Sequence, residues 1–146
     1  MKALIVDDEL HCRENLSILL KRKCASINEI HLADSVDNAL QVLQGFEPNI
    51  IFLDIRMPEK DGFQLLKHID NSKVCIVFVT AHDEYALRSI KCGPTAYLLK
   101  PIDTDELVEA VEQVKRQKEA KHNAILEYNQ TLSHLTENLS QQSVSS

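Results

Sequence analysis

Asp7, Asp8 and Glu9 stand together near the start of the chain. Asp54 ends one apolar run, Thr80 ends another, and Lys100 precedes Pro101. Brought to one place, Asp7, Asp8, Asp54, Thr80 and Lys100 would offer three carboxylates, a hydroxyl donor and one mobile ammonium. Carboxylates crowded together repel each other unless positive charge is supplied. A hard divalent cation resolves that, because Mg2+ favours oxygen ligands, a couple of carboxylates, several retained waters and a phosphate. Lys100 adds a point charge suited to a phosphoryl oxygen, and Thr80 adds a hydroxyl. An aspartate beside Mg2+ and a lysine is the ingredient list for an aspartyl-phosphate. Taken singly, each of these is only a polar residue closing an apolar run; the set in this order carries the reading.

The elements that must position them recur regularly. Short β-prone runs lie at Ala3–Val6, Glu29–Ala33, Ile50–Leu53, Cys75–Val79 and Ala96–Leu99, with starts 26, 21, 25 and 21 residues apart. Amphipathic stretches at helical spacing lie between them. Leu16, Leu19 and Leu20 mark the first, and Val36, Leu40 and Leu43 the second, with Ser35 as its N-cap. Phe63, Leu65, Leu66 and Ile69 mark the third, and Tyr85, Leu87 and Ile90 the fourth. Leu107, Val108, Val111 and Val114 mark the fifth, where Asp103 and Glu106 have capping-box spacing. Strands alternating with helices predict βαβ units and a parallel sheet covered on both faces. Ligands of such sheets bind beyond the carboxyl ends of the strands, which is where the three aspartates, Thr80 and Lys100 fall. Thr80 and Lys100 are therefore expected on a solvent-facing rim, where substitution costs little stability.

Composition narrows the field further. Sixteen basic and 22 acidic residues leave a net charge of −6, which argues against a chain built chiefly to grip DNA or an anionic membrane. No apolar run approaches the roughly 20 residues of a membrane span, and the acidic start does not read as a signal peptide. A cytoplasmic location is expected. Cys12, Cys24, Cys75 and Cys92 are spaced for neither a zinc knuckle nor a redox pair, and the six histidines are scattered. All glycines and prolines lie at or before residue 101, so a compact body is expected to about residue 118, followed by a polar, helix-permissive tail. Met57-Pro58 reads as a turn after the third strand, and Asp61-Gly62 as the start of a helix.

The combination resembles the receiver domain of two-component response regulators. The matching residues are Val6-Asp7-Asp8-Glu9, Phe52-Leu53-Asp54-Ile55-Arg56-Met57-Pro58-Glu59-Lys60-Asp61-Gly62, Val79-Thr80-Ala81 and Tyr97-Leu98-Leu99-Lys100-Pro101. The resemblance implies an α/β flavodoxin-like (CheY-like) three-layer fold with strand order 2-1-3-4-5 and a C-terminal helical extension. It implies Asp54 as phosphoacceptor for a sensor histidine kinase. It implies Mg2+ held by Asp8, Asp54 and the backbone carbonyl of Arg56, with Asp7 acting through a water. Thr80 and Lys100 would close on the phosphoryl oxygens, and Tyr97 would be the rotating aromatic of the switch. Arg56 and His82 would tune phosphoryl lifetime, and the Lys100–Pro101 bond would be cis. Such a switch accepts a phosphoryl group and slowly loses it, rather than turning over a separate substrate.

Ala81-His82-Asp83-Glu84-Tyr85-Ala86-Leu87 and Tyr97-Leu98-Leu99-Lys100-Pro101-Ile102 resemble the LytTR-type regulators. That implies transcriptional control through a DNA-binding output domain, expected to be absent from this chain, with residues 1–118 as receiver and 119–146 as a partly disordered linker. Two features depart from many relatives, Ala96 before the aromatic and Pro94 in the preceding loop. Two other readings remain, a stand-alone receiver acting through protein partners and an Mg2+-dependent phosphatase with an aspartate nucleophile. The phosphatase commonly needs a second aspartate two residues after the first, where this chain has Arg56. In the tail, Leu107, Val114, Lys121, Tyr128 and Leu135 form one column of a heptad pattern. Val111, Lys118, Ile125, Leu132 and Leu139 form the other. The tail thus reads either as a coiled-coil seam supporting a homodimer or as a frayed linker helix, with Gln141–Ser146 disordered.

Overall fold

β1 (Lys2–Val6), β2 (Glu29–Ala33), β3 (Ile50–Leu53), β4 (Cys75–Thr80) and β5 (Ala96–Leu99) form one sheet in the order β2-β1-β3-β4-β5. Every pairing is parallel. The computed structural model describes residues 1–83 and 96–145, with side chains through residue 139. The expected helix at Tyr85, Leu87 and Ile90 and the departure at Pro94 lie outside the described residues. Among the described residues, three helices join the strands, α1 (Leu10–Lys23), α2 (Val36–Leu43) and α3 (Gly62–Leu66), and a C-terminal helix covers Thr104–Ser145. Met1–Glu112 and Gln113–Ser146 are separate compact units. This is the expected α/β order.

The central strands are buried along nearly their full length, β3 without exception. Their uninterrupted apolar sequences follow from having helices on both faces. Side chains alternate across the sheet. Leu4, Val6, Ile51, Leu53, Ile76 and Phe78 share one core with Val36 and Ala39 of α2 and Phe63 and Leu65 of α3. Ala3, Ile5, Ile50, Phe52, Val77 and Val79 form the alternate, equally buried set. On the first face an aromatic row crosses three elements. Phe63 lies 5.4 Å from Phe78, and Phe78 lies 6.2 Å from Tyr97. Edge strand β2 is only half-buried.

Caps fix where the helices begin. The Ser35 hydroxyl accepts from Asn38 N–H at 3.0 Å. The Asp103 carboxylate accepts from Glu106 N–H at 3.0 Å. α3 opens with a full capping box between Asp61 and Gln64, which satisfies two otherwise orphaned N–H groups. α3 ends at Leu66, short of the Ile69 that its spacing predicted. A turn follows instead, in which Asp70 accepts from both the N–H and the hydroxyl of Ser72.

Candidate functional site

The strands deliver their last residues to one end of the sheet. Asp54 N–H donates to the Val6 carbonyl at 2.9 Å, which sets β3's exit beside β1's. Lys100 N–H donates to the Thr80 carbonyl at 2.8 Å, which does the same for β5 and β4. Four chain segments are thereby registered by the parallel ladder itself. Asp7 and Asp54 are buried, at 4% and 7% exposure, whereas Asp8 is exposed.

Lys100 joins them from 93 residues beyond Asp7 and 46 beyond Asp54. Its ammonium donates to Asp7 Oδ2 at 2.7 Å and to Asp54 Oδ2 at 3.3 Å. The other Asp7 oxygen accepts from Glu9 N–H at 2.9 Å. Burial raises the Asp54 carboxyl above the ordinary range; Lys100 opposes that, Asp7 adds to it, and the Thr80 hydroxyl acts on the side of Lys100. For Lys100, burial pulls downward but is outweighed by the hydrogen bond to Asp7 and the charges of Asp54 and Asp7, so the ammonium is held above the usual lysine range. One cation thus faces two buried anions, with Asp8 adding a third carboxylate. Carboxylate oxygens of Asp7, Asp8 and Asp54 lie within 4.8 Å of one another. That donor set is entirely oxygen and carries more negative charge than Lys100 neutralises, which fits Mg2+.

A cleft of about 460 Å3 opens over these groups, lined among others by Asp8, Asp54, Arg56, His82 and Lys100. The structure therefore places Arg56 and His82 beside the aspartates. Tyr97 is directed elsewhere, its hydroxyl donating to the His82 carbonyl. The Lys100–Pro101 peptide bond is cis.

The expectation of a solvent-facing Thr80 is corrected, because Thr80 is fully buried. It still belongs to the ladder, paired with Leu99, so it lies inside the sheet rather than in the loop that follows. Lys100 is mostly covered too, its side chain 17% exposed.

One supporting residue escaped the motif reading, and a second was read only as the start of a helix. Arg13 reaches back from α1 and donates to the Asp7 carbonyl at 2.8 Å; a lone arginine on a helix gives no sequence signal for this. Gly62 is buried at the start of α3, where its N–H donates to the Ile55 carbonyl at 2.7 Å. A Cβ there would sit 2.4 Å from the Asp54 carbonyl oxygen. The glycine is needed so that α3 can close against the backbone that holds Asp54. Between them Glu59 takes a positive φ of 67°, an uncommon conformation for a residue with a side chain.

Residues 3–112 match the family described as response regulator receiver domain. The chain belongs to that family. The sensory transduction protein LytT of Bacillus cereus is 38% identical to this receiver over 124 residues, which is 83% of this chain and 50% of LytT. The response regulatory domain of protein mrkE from Klebsiella pneumoniae matches with a TM-score of 0.74 at 30% identity, over 82% of this chain and 99% of that one. The response regulator TrrA from Thermotoga maritima, solved in complex with Mg2+ and BeF, matches with a TM-score of 0.68 at 29% identity, over 77% of this chain and 97% of that one. The receiver spans about half the length of the curated relatives it matches. Its fold is the CheY-like α/β fold, and it is the receiver of a two-component response regulator with LytT-type relatives. Among the described residues no helix is long and apolar enough to cross a membrane.

Proposed function

We propose that this receiver accepts a phosphoryl group on Asp54 from the phosphohistidine of a sensor histidine kinase. The resulting change of conformation would control an output, namely transcription through a DNA-binding domain. The observation that carries the reading is the Lys100 ammonium held between the buried Asp7 and Asp54 carboxylates, with Asp8 beside them. A buried nucleophilic carboxylate needs positive charge close by, and the transferred phosphoryl group needs more. Asp8, Asp54 and the Arg56 backbone carbonyl would hold Mg2+, with Asp7 acting through a water. When bound, the ion supplies charge neutralisation for the phosphoryl oxygens.

An Asp54 carboxylate oxygen attacks phosphorus in line with the leaving imidazole nitrogen. The O–P bond forms as the P–N bond breaks, and its electron pair returns to the imidazole. Lys100 already lies against Asp54 and exchanges a carboxylate partner for a phosphoryl oxygen. Thr80, buried beside Asp54, turns its hydroxyl to another. Tyr97, bonded to the carbonyl of His82, senses the movement of the segment that follows Thr80 and biases the β4–β5 end of the domain toward a binding-competent state. Arg56 and His82 line the cleft through which water later reaches the acyl phosphate, and so tune its lifetime.

The test is incubation with acetyl phosphate and Mg2+, followed by intact-mass measurement and peptide mapping. One added phosphoryl group, mapped to Asp54 and absent from Asp54→Asn, is the expected result. Undiminished labelling of that variant would overturn the assignment.

A further inference from the structure

We infer that residues 125–139 of the C-terminal helix pair with the same segment of a second copy of this chain, in the absence of any phosphorylation. Ile125, Tyr128, Leu132, Leu135 and Leu139 are exposed by 52%, 65%, 43%, 55% and 66%. They succeed one another at intervals of 3, 4, 3 and 4 residues on a continuous helix. That alternation keeps one stripe facing a partner helix and is the spacing of knobs-into-holes packing. A single helix exposing such a stripe has little to hold it in water, since most helical stability comes from covering an apolar face.

What covers the stripe is read from its flanks. From His122 to Leu139 the only acidic or basic residues other than histidine are Glu127 and Glu137. In the register set by the five apolar residues both fall outside the seam and its edges. The edge positions are Asn129, Thr131, Thr136 and Asn138. The Thr131 and Thr136 hydroxyls already donate to the carbonyls of Glu127 and Leu132, at 3.0 and 2.9 Å. Covering them therefore strands no hydroxyl donor. A charged partner would need opposite charge at these edges; a second copy of the same uncharged seam meets no repulsion. Toward the N-terminus, Lys118 and Lys121 occupy the same stripe and bound the seam, because lysine there weakens such packing.

The area is sufficient. With about half of each side chain still exposed, each offers roughly 100 Å2. Two copies laid seam to seam then bury on the order of 1,000 Å2, the least that a specific interface requires. An interface at that lower bound is a weak, reversible one.

Leu126 supplies the control. It is 45% exposed, equally apolar, and off the stripe. Sedimentation velocity of the full chain from about 5 to 500 µM, without phosphodonor, reads the association. The expected result is a monomer–dimer equilibrium that Leu132→Gln weakens by at least tenfold, roughly the loss of one central anchor. Leu126→Gln should change it by less than about twofold, since that side chain is not in the seam. Glutamine sustains helices, and circular dichroism verifies that both variants keep their helical signal. Three outcomes overturn the inference: a monomer throughout, equal weakening by both variants, or a dimer indifferent to Leu132→Gln. None of them bears on phosphorylation of Asp54, which the labelling experiment decides separately.

Discussion

Replacing Lys100 by methionine keeps an unbranched apolar stem, one atom shorter, and removes the charge. In the folded domain that leaves Asp7 and Asp54 facing each other without the ammonium now 2.7 and 3.3 Å from their oxygens. At an effective dielectric constant of about 20, each contact represents roughly 5–6 kcal/mol of attraction before desolvation is subtracted. Removing one partner of a buried pair costs about 3–5 kcal/mol, because the remaining charge stays buried. The Asp7 and Asp54 side chains are 5% and 9% exposed and that of Lys100 is 17% exposed, so water relieves only part of this. A loss of about 3 kcal/mol at pH 7 is the reasoned magnitude. In urea it appears as a midpoint lowered by roughly 1–3 M at unchanged slope. The pH dependence gives the sharper test. Asp54 is already held above its ordinary range by burial, with Asp7 adding to that and Lys100 opposing it. Removing Lys100 raises it further. A carboxyl whose folded pKa exceeds its unfolded value binds its proton more tightly when folded, so stability falls as pH rises through that interval. The deficit of Lys100→Met is therefore largest at neutral pH and shrinks as pH falls through the carboxylate range. Millimolar Mg2+ should recover more stability in the variant than in the wild type. A deficit below about 0.5 kcal/mol at pH 7, which is what an ordinary surface substitution costs, would refute the reasoning. So would one that is equal at pH 5 and pH 7.

Gly62→Ala forces a methyl group to within 2.4 Å of the Asp54 carbonyl oxygen. Backbone cannot swing aside as a flexible side chain does, so the expected loss is about 1–3 kcal/mol in urea, with slower labelling of Asp54 by acetyl phosphate; a variant labelled at the wild-type rate would show that α3 does not position the nucleophile. Thr80→Val conserves shape but removes the hydroxyl beside Asp54, and because Thr80 is fully buried the cost is about 1 kcal/mol. The phosphorylated form should fail to switch, while Thr80→Ser restores switching; comparing NMR shifts of the Tyr97 ring with and without beryllofluoride checks both.

Much of this protein was legible along the chain. Period and composition located the five strands to within a residue, most sharply the three central ones, because strands buried on both faces are near-continuous apolar runs with polar ends. Ser35 and Asp103 announced their caps for an equally local reason, since a cap is satisfied within four residues. The candidate residues were legible because parallel strands put all their carboxyl ends on one rim. Tertiary structure decided the rest. That Lys100 bridges Asp7 and Asp54 depends on how β5, β1 and β3 are registered, which no local spacing encodes. Thr80 is buried, not on the rim, because it is still a paired residue of the sheet, opposite Leu99, rather than part of the loop beyond it. Arg13 matters through its contact with the Asp7 main-chain carbonyl, and any residue type can present a carbonyl, so no pattern advertises it; Gly62 was visible as a helix start, but its close approach to the Asp54 carbonyl was not. Local sequence determines which groups are available, whereas the distances that set charge, burial and proton affinity belong to the packed sheet.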